Sequence, residues 1–404
     1  MTQNTSIINF TLLTRIEGGI LGERSGYYVQ QSAGYSAFIP KSLPPVPQIA
    51  LDQDMLVLLS NADRALARLD GISYILPNAD LFVAMFVKKE AVLSSQIEGT
   101  QSSLIDVLEF EALTKPIKGV DDVAEVINYV KAMNHGLERL QDLPFSLRLI
   151  REIHGVLMAG VRGSDKDPGQ FRKSQNWIGP SGALLADATF VPPPPVDVID
   201  AMSDFEKFVH SDSKMPPLVK CALIHYQFET IHPFLDGNGR IGRLLITFYL
   251  CWQDILNRPL LYLSYYLKRN RQEYYDLLSK VRDKDAYEEW VDFFLKGILE
   301  VSDQAASSAK QIISLQKADT QKIVNSGISS SSAIILLDWL FTAPIVNVSE
   351  VAHKLDVTKQ TATTLISKLE KIGILKEITG KSRNRYYAYS RYLEILNEGT
   401  NPLI

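Results

Sequence analysis

Cysteine is nearly missing: 404 residues hold two, Cys221 and Cys251, both inside apolar, helix-like stretches. That excludes a disulfide framework or a multi-cysteine metal site and reads as two small buried thiols in a reducing compartment. An excess of basic charge is missing too. At a net charge of −4 there is no overall positive field, so any nucleic-acid contact must come from a local patch. Long hydrophobic runs are lacking as well. The stretch 244–252 falls well short of the roughly 20 residues a membrane helix needs, and Thr247 interrupts it. The opening Met1-Thr-Gln-Asn-Thr-Ser-Ile-Ile-Asn-Phe10 has no positive start of a secretory signal. A soluble, cytoplasmic protein without membrane contact is expected.

What is present suits a packed protein. An apolar fraction of 46% with 22% charged residues is that of a globular chain, and the length suggests two or three domains. Residues 1–50 carry turn formers and the proline-rich Pro40-Lys-Ser-Leu-Pro-Pro-Val-Pro-Gln48, which cannot continue a helix and reads as an extended strap. Helical spacing then takes over: Met55, Leu56, Leu58, Leu59, Ala62, Leu66 and Leu69 recur on one face, and 80–97 continues in the same style. Further amphipathic helices fit between 120 and 290, interrupted by a Gly- and Pro-bearing loop at 163–195 that is long enough to suggest a lid. A Ser/Ala/Gln/Lys-rich helical connector at 301–332 leads to a compact C-terminal unit, and no fixed-period repeat is visible.

The densest chemistry lies in His232-Pro-Phe-Leu-Asp-Gly-Asn-Gly-Arg-Ile-Gly-Arg243. Ahead of it, Leu218, Cys221, Ala222, His225 and Phe228 share a helical face after Pro216-Pro217. Pro233 and Gly237-Asn238-Gly239 break that helix, and a second begins near Arg240. A Gly-Asn-Gly loop entering a helix N-terminus presents free N–H groups and the positive end of the dipole, which is an anion site. Arg240 and Arg243, three residues apart, leave the same side of the first turn, where they would repel unless an anion or acid lay between them. Several phosphates are expected. Asp236 offers a hard oxygen for Mg²⁺ beside phosphate oxygens, and His232 can take a proton from a hydroxyl at neutral pH.

This string resembles the signature of Fic-domain proteins, His-x-Phe-x-(Asp/Glu)-Gly-Asn-Gly-Arg-x-x-Arg, at every specified position from His232 to Arg243. The resemblance implies a helical Fic core that transfers AMP from Mg²⁺-bound ATP to a Tyr, Thr or Ser hydroxyl of an unidentified protein target, releasing pyrophosphate. It implies that His232 is the base, that Asp236 holds Mg²⁺, and that Gly237, Asn238 and Gly239 cradle the α- and β-phosphates. Arg240 and Arg243 then bind the polyphosphate tail, with Ile241 and Gly242 between them counted in the ATP site. Catalysis would rest on positioning and charge stabilisation.

Upstream, Ser94 and Glu98 stand four residues apart on one helical face, with Gly99 suited to the cap. A carboxylate at a helix C-terminus opposes the dipole. The segment Ser94-x-x-x-Glu98-Gly99 looks like the family's inhibitory motif, which implies that Glu98 pairs with Arg243 and competes with ATP for it. The loop 168–180 resembles the family's flap, which aligns a target by strand-like pairing; Asn176, Trp177, Ile178 and Gly179 would approach nucleotide and target, and Phe190-Val191 would end it. Tyr274-Tyr275, with Asn270 nearby, resembles a tyrosine pair beside the adenine; the other reading makes one tyrosine core and one surface.

In the C-terminal unit, 348–355 followed by 356–361 and a helix through Leu365, Ile366 and Leu369 has helix-turn-helix spacing, with Thr358 as a cap. Ile374-Leu375 and 386–389 flank a turn at Gly380 that looks like a wing, where Lys376, Lys381, Arg383 and Arg385 face the single acid Glu377. Lys359, Gln360, Thr361 and Thr364 could meet a DNA groove, while winged helices also dock proteins or form homodimers. The fold expected is mainly α: an N-terminal helical region with the inhibitory helix over 1–115, a Fic core with a small β-hairpin flap over 116–300, a connector over 301–332 and a winged helix-turn-helix over 333–404. The function expected is autoinhibited protein adenylyl transfer; the alternative is a nucleotide-sensing, DNA-binding regulator.

Overall fold

The computed structural model describes residues 23–74, 79–112, 120–180, 182, 184–328 and 331–402. The opening residues read for a secretory start lie outside them. No described helix is long and apolar enough to cross a membrane.

A hairpin comes first, β1 (Gly26–Gln30) antiparallel to β2 (Ser36–Pro40) with Tyr28 opposite Phe38. Nothing in the local spacing announces it, because much of β1 faces outward. Long-range contacts hold it instead: buried Phe38 donates its amide to the Val191 carbonyl at 3.0 Å and leans its ring on Phe190. The proline-rich strap follows, tied down where Gln227 Nε2 donates to the Lys41 carbonyl at 3.0 Å.

Helices then dominate: α1 (Gln53–Ser73), α2 (Ala79–Ile97), α3 (Leu104–Ala112), α4 (Val120–Arg139), α5 (Leu147–Leu157), α6 (Val198–His210), α7 (Pro217–Ile231), α8 (Asn238–Trp252), α9 (Ser264–Arg269), α10 (Arg271–Lys284) and α11 (Tyr287–Asn325). Asp52 starts α1 by accepting the Met55 amide at 2.8 Å. Its buried stripe runs through Met55, Leu59, Ala62, Leu66, Leu69 and Ile72, whereas Leu56, expected inward, is 50% exposed.

Pro217 opens α7, a position that wastes no amide donor. From Leu218 to Ile231 every residue of this helix is buried, so it is the central rod of the core rather than an amphipathic surface helix. Cys221 on α7 and Cys251 on α8 are free thiols, and burial pushes both well above the usual thiol range. The 39 residues of α11, about 58 Å at the helical rise, run unbroken from the core through the Ser/Ala/Gln/Lys-rich stretch.

Beyond it stand α12 (Ser331–Leu340), β3 (Ile345–Asn347), α13 (Val348–Lys354), α14 (Lys359–Lys371), β4 (Lys376–Glu377), β5 (Tyr386–Ala388) and α15 (Ser390–Asn397). Asn347 and Glu350 form a capping box at α13, and Thr358 caps α14 by accepting the Thr361 amide at 3.2 Å. The three strands pair antiparallel in the order β3-β5-β4, a winged helix. Its strand β3 adds to the expected hairpin. Asp319 of α11, fully buried, accepts the Tyr389 hydroxyl at 2.7 Å and pairs with Arg391 at 2.5 Å, fixing the module to the long helix.

Candidate active site

The last turn of α7 ends on His232, whose backbone is left-handed at φ 50 and ψ 60. A non-glycine residue there is strained by roughly 1–2 kcal/mol. Donors gathered on the neighbouring carbonyls hold it: Arg172 Nε and Asn176 Nδ2 reach the His232 carbonyl at 2.9 and 3.1 Å, and Asn176 Nδ2 also reaches that of Phe234 at 2.8 Å. Asn238 closes the loop by accepting the Phe234 amide and donating to the Phe234 carbonyl, both at 2.8 Å. Beneath it His154 stacks on Phe234 at 3.7 Å. His154 Nδ1 accepts the Gly169 amide at 2.8 Å, so Nε2 carries the proton and donates it to the Asp236 carbonyl at 3.0 Å.

His232 Nδ1 lies 3.3 Å from the Glu229 carbonyl, an acceptor, which assigns the proton to Nδ1 and leaves the Nε2 lone pair available. Burial lowers the imidazole to about 4, with Arg172 acting in the same direction, so the ring is neutral at pH 7.

Gly237, left-handed at φ 75, precedes α8, and a Cβ there would meet Met158 Sδ at 2.8 Å. The first-turn amides of α8 beyond it have no intrahelical acceptor, which is the anion cradle expected of the loop. Asp236 stands at its mouth, half-buried. Its Oδ1 accepts the Gly237 amide at 2.7 Å and its Oδ2 pairs with Lys166 at 3.1 Å. Burial would raise this carboxyl, but Lys166 and the Gly237 amide hold it below the ordinary value.

The two arginines each meet an acid. Arg240, 2% exposed, pairs with Glu125 of α4 at 2.9 Å, and Arg162 joins the same carboxylate at 3.3 Å. Arg243, equally buried, donates Nε to Ser94 Oγ at 2.8 Å and Nη2 to the Ser94 carbonyl at 3.1 Å and to Glu98 Oε1 at 2.6 Å. A Cβ on Gly239 would lie 2.2 Å from that same Glu98 oxygen. The Glu98 carboxylate therefore lies against both the glycine loop and the guanidinium. Burial opposes its charge, yet Arg243 holds its pKa below the ordinary value.

The remaining expected residues separate. Ile178 forms an antiparallel bridge with Phe190 through bonds of 2.8 and 3.0 Å, so the flap is one bridge rather than a stranded hairpin. Trp177 and Ile178 are 40% and 39% exposed at that bridge and Gly179 is exposed, while the Asn176 side chain bonds the loop backbone. Tyr274 is a correction: it is 1% exposed with its hydroxyl 2.8 Å from His225, a core residue behind the site, whereas Tyr275 is 37% exposed. Asn270 donates its amide to the Tyr266 carbonyl at 3.0 Å. Ile241 and Gly242 are both buried, and a Cβ on Gly242 would meet Glu229 and His225. Asn238's side chain clamps the loop, leaving only its backbone to the cradle.

Residues 56–138 match the Fic/DOC family N-terminal model and 144–250 the Fic/DOC family model. The chain carries a Fic domain. Residues 335–389 match an HTH DNA binding domain. Among relatives, the protein adenylyltransferase Fic of Drosophila grimshawi is 30% identical over 249 residues, covering 58% of this chain and 46% of that protein. The protein of the same name in Drosophila virilis is 31% identical over 174 residues, 42% of this chain and 32% of that one. The chain thus spans less than half the length of these relatives. A Fic family protein from Desulfovibrio desulfuricans G20 shares the fold at a TM-score of 0.53 and 18% identity, over 84% of this chain and 97% of that one.

Around the Fic motif the structure adds residues that the sequence did not single out: Glu125 on Arg240, His154 and Arg172 under the loop, and Lys166 on Asp236. They come from α4, α5 and the 163–195 loop, distant in sequence and bound to carbonyls or to one motif side chain. Only Glu125 carried a hint, an acid on a helix that had to face something.

Proposed function

We propose that the protein transfers AMP from ATP to a hydroxyl of a protein target, and that Glu98 holds this activity back. His232 Nε2 takes the proton of the acceptor hydroxyl, its oxygen bonds the α-phosphorus, and the bond from that phosphorus to the bridging oxygen breaks to release pyrophosphate. The amides following Gly237 and the Arg243 guanidinium receive the phosphates, and Glu125 fixes Arg240 beside them. The observation that carries the reading is the Glu98 carboxylate resting against the glycine loop and on Arg243: an anion occupies an anion site beside a neutral histidine with a free lone pair. The relatives' name, protein adenylyltransferase, supports the same chemistry.

Asp236 fits Mg²⁺: it is an ionised, half-exposed hard oxygen donor beside the phosphate cradle, needing only to be released by Lys166. Mg²⁺ would neutralise phosphate charge there. The exposed edge of the flap at Trp177 and Ile178, beside the bridge to Phe190, is the part we assign to the target. The four-part division at 1–115, 116–300, 301–332 and 333–404, the cytoplasmic location and a homodimer remain part of this reading.

Mass spectrometry of the purified protein after incubation with ATP and Mg²⁺ tests it, since self-modification adds one AMP. The second reading, a nucleotide-sensing DNA-binding regulator, is favoured by the face of α14, where Lys359, Gln360, Thr361, Thr364 and Lys368 are all exposed near the basic wing. It requires duplex binding that weakens steeply with salt and no transfer of labelled AMP.

A further inference from the structure

The winged-helix module grips α2, the helix whose last residue precedes Glu98, near both of its ends. Toward the start of α2, Phe82 stacks on Phe341 just past α12, with ring centroids 6.3 Å apart and planes 9° from parallel. Toward its end, Gln96 is 2% exposed and stands two residues from both Ser94 and Glu98. Its nitrogen donates to the Ser102 and Thr400 carbonyls, both at 2.8 Å, and its oxygen accepts Lys268 Nζ at 2.5 Å. Lys268, on α9, also donates to the carbonyls of Gly399, at 3.2 Å, and Asn401. Thr400 itself is fully buried, with its hydroxyl on the Asn397 carbonyl at 3.0 Å, where α15 ends.

The seat is specific. Gly399 is left-handed at φ 77, and a Cβ there would fall 2.1 Å from the Tyr265 ring. Residues two apart leave a helix on opposite sides, about 200° around the axis. Gln96 therefore pins the back of the very turn whose front presents Ser94 and Glu98 to Arg243.

We infer that the winged-helix module is a clamp on the inhibitory helix: residues 399–401, seated on Gln96 and Lys268, hold the last turn of α2 where Glu98 meets Arg243, and unseating them frees Glu98. A partner that binds the module better when it is unseated activates the site. By reciprocity, a nucleotide that displaces Glu98 loosens the module. The consequence for activity rests on the adenylyl-transfer reading; the clamp itself does not.

Gly399→Ala and Lys268→Met in the full chain, with Glu98→Gly as control, separate the two. Gly399→Ala forces the segment out, and Lys268→Met removes its anchor without backbone strain. Hydrogen exchange of the amides of 92–100 should quicken in both variants while exchange in α7 stays at the wild-type rate. AMP incorporation from labelled ATP should rise about fivefold or more, a typical coupling. Adding Gly399→Ala to Glu98→Gly should give no further rise. Unchanged exchange at 92–100 in both variants overturns the clamp, and so does a rise that adds to that of Glu98→Gly. If Glu98→Gly transfers no AMP, the adenylyl-transfer reading fails, and the exchange rates still decide the clamp.

Discussion

Arg243 Nη2 donates to Glu98 Oε1 at 2.6 Å, and the same oxygen lies 2.2 Å from where a Cβ on Gly239 would stand. One carboxylate thus lies against the guanidinium and the glycine loop together, so in the reading proposed above Glu98 competes with a nucleotide's phosphates for Arg243. Glu98→Gly is expected to raise AMP incorporation by about tenfold or more, one factor of ten for each roughly 1.4 kcal/mol of competition removed. Ser94→Ala should act more weakly, because the Ser94 carbonyl still accepts from Arg243 when the hydroxyl is gone. Scintillation counting of labelled protein measures both.

Removing Glu98 also leaves a buried cation with one acceptor fewer. The loss should destabilise the nucleotide-free protein by roughly 1–3 kcal/mol, the cost of an unsatisfied buried group. Thermal unfolding of Glu98→Gly should therefore show a lowered Tm that ATP restores beyond its effect on the wild type.

Much of this site was legible because its chemistry is contiguous. A twelve-residue run carries His232, Asp236, the glycine loop and both arginines, and helical spacing alone puts Ser94 and Glu98 on one face. What a helix meets on its far side was not legible. Sequence cannot say that Arg240 turns to Glu125, that Tyr274 faces His225 while Tyr275 faces out, or that the Asn238 side chain clamps the loop at Phe234. The hairpin at 26–40 was hidden for a related reason: its partners at 190–191 lie some 150 residues away in sequence. The fold class followed from periodicity, yet the unbroken α11 shows that a change in composition need not mark a change in structure.

Arg172 touches no reacting atom; it holds the strained His232 carbonyl from below. Arg172→Lys loses the paired donors and should lower kcat by about 10- to 100-fold with little change in KM for ATP, as expected when a base is misplaced by a fraction of its reach. Steady-state kinetics in the Glu98→Gly background would detect it.

Glu229 offers a pH test of the buried core around the site. Burial raises its carboxyl to about 7, and its Oε1 has no hydrogen-bond partner among the described residues. A carboxyl raised in the folded state binds more protons folded than unfolded between its unfolded value near 4.5 and about 7, so it costs stability as pH rises through that window. Glu229→Gln removes this cost, roughly 3 kcal/mol at full ionisation. Its Tm advantage over wild type should grow from pH 5 to pH 8; an equal difference at both values contradicts the assignment. His154 and His225, lowered to about 4 by burial, act in the opposite sense, losing stability as pH falls from about 6.5 toward 4.

In the function proposed, His232 drives AMP transfer that Glu98 restrains. The most direct measurement is AMP incorporation from α-labelled ATP with Mg²⁺ by the Glu98→Gly variant and by Glu98→Gly combined with His232→Ala. Strong labelling of the first and none of the second is the result expected. Equal labelling of the two, or none in either while both bind ATP, would contradict the account.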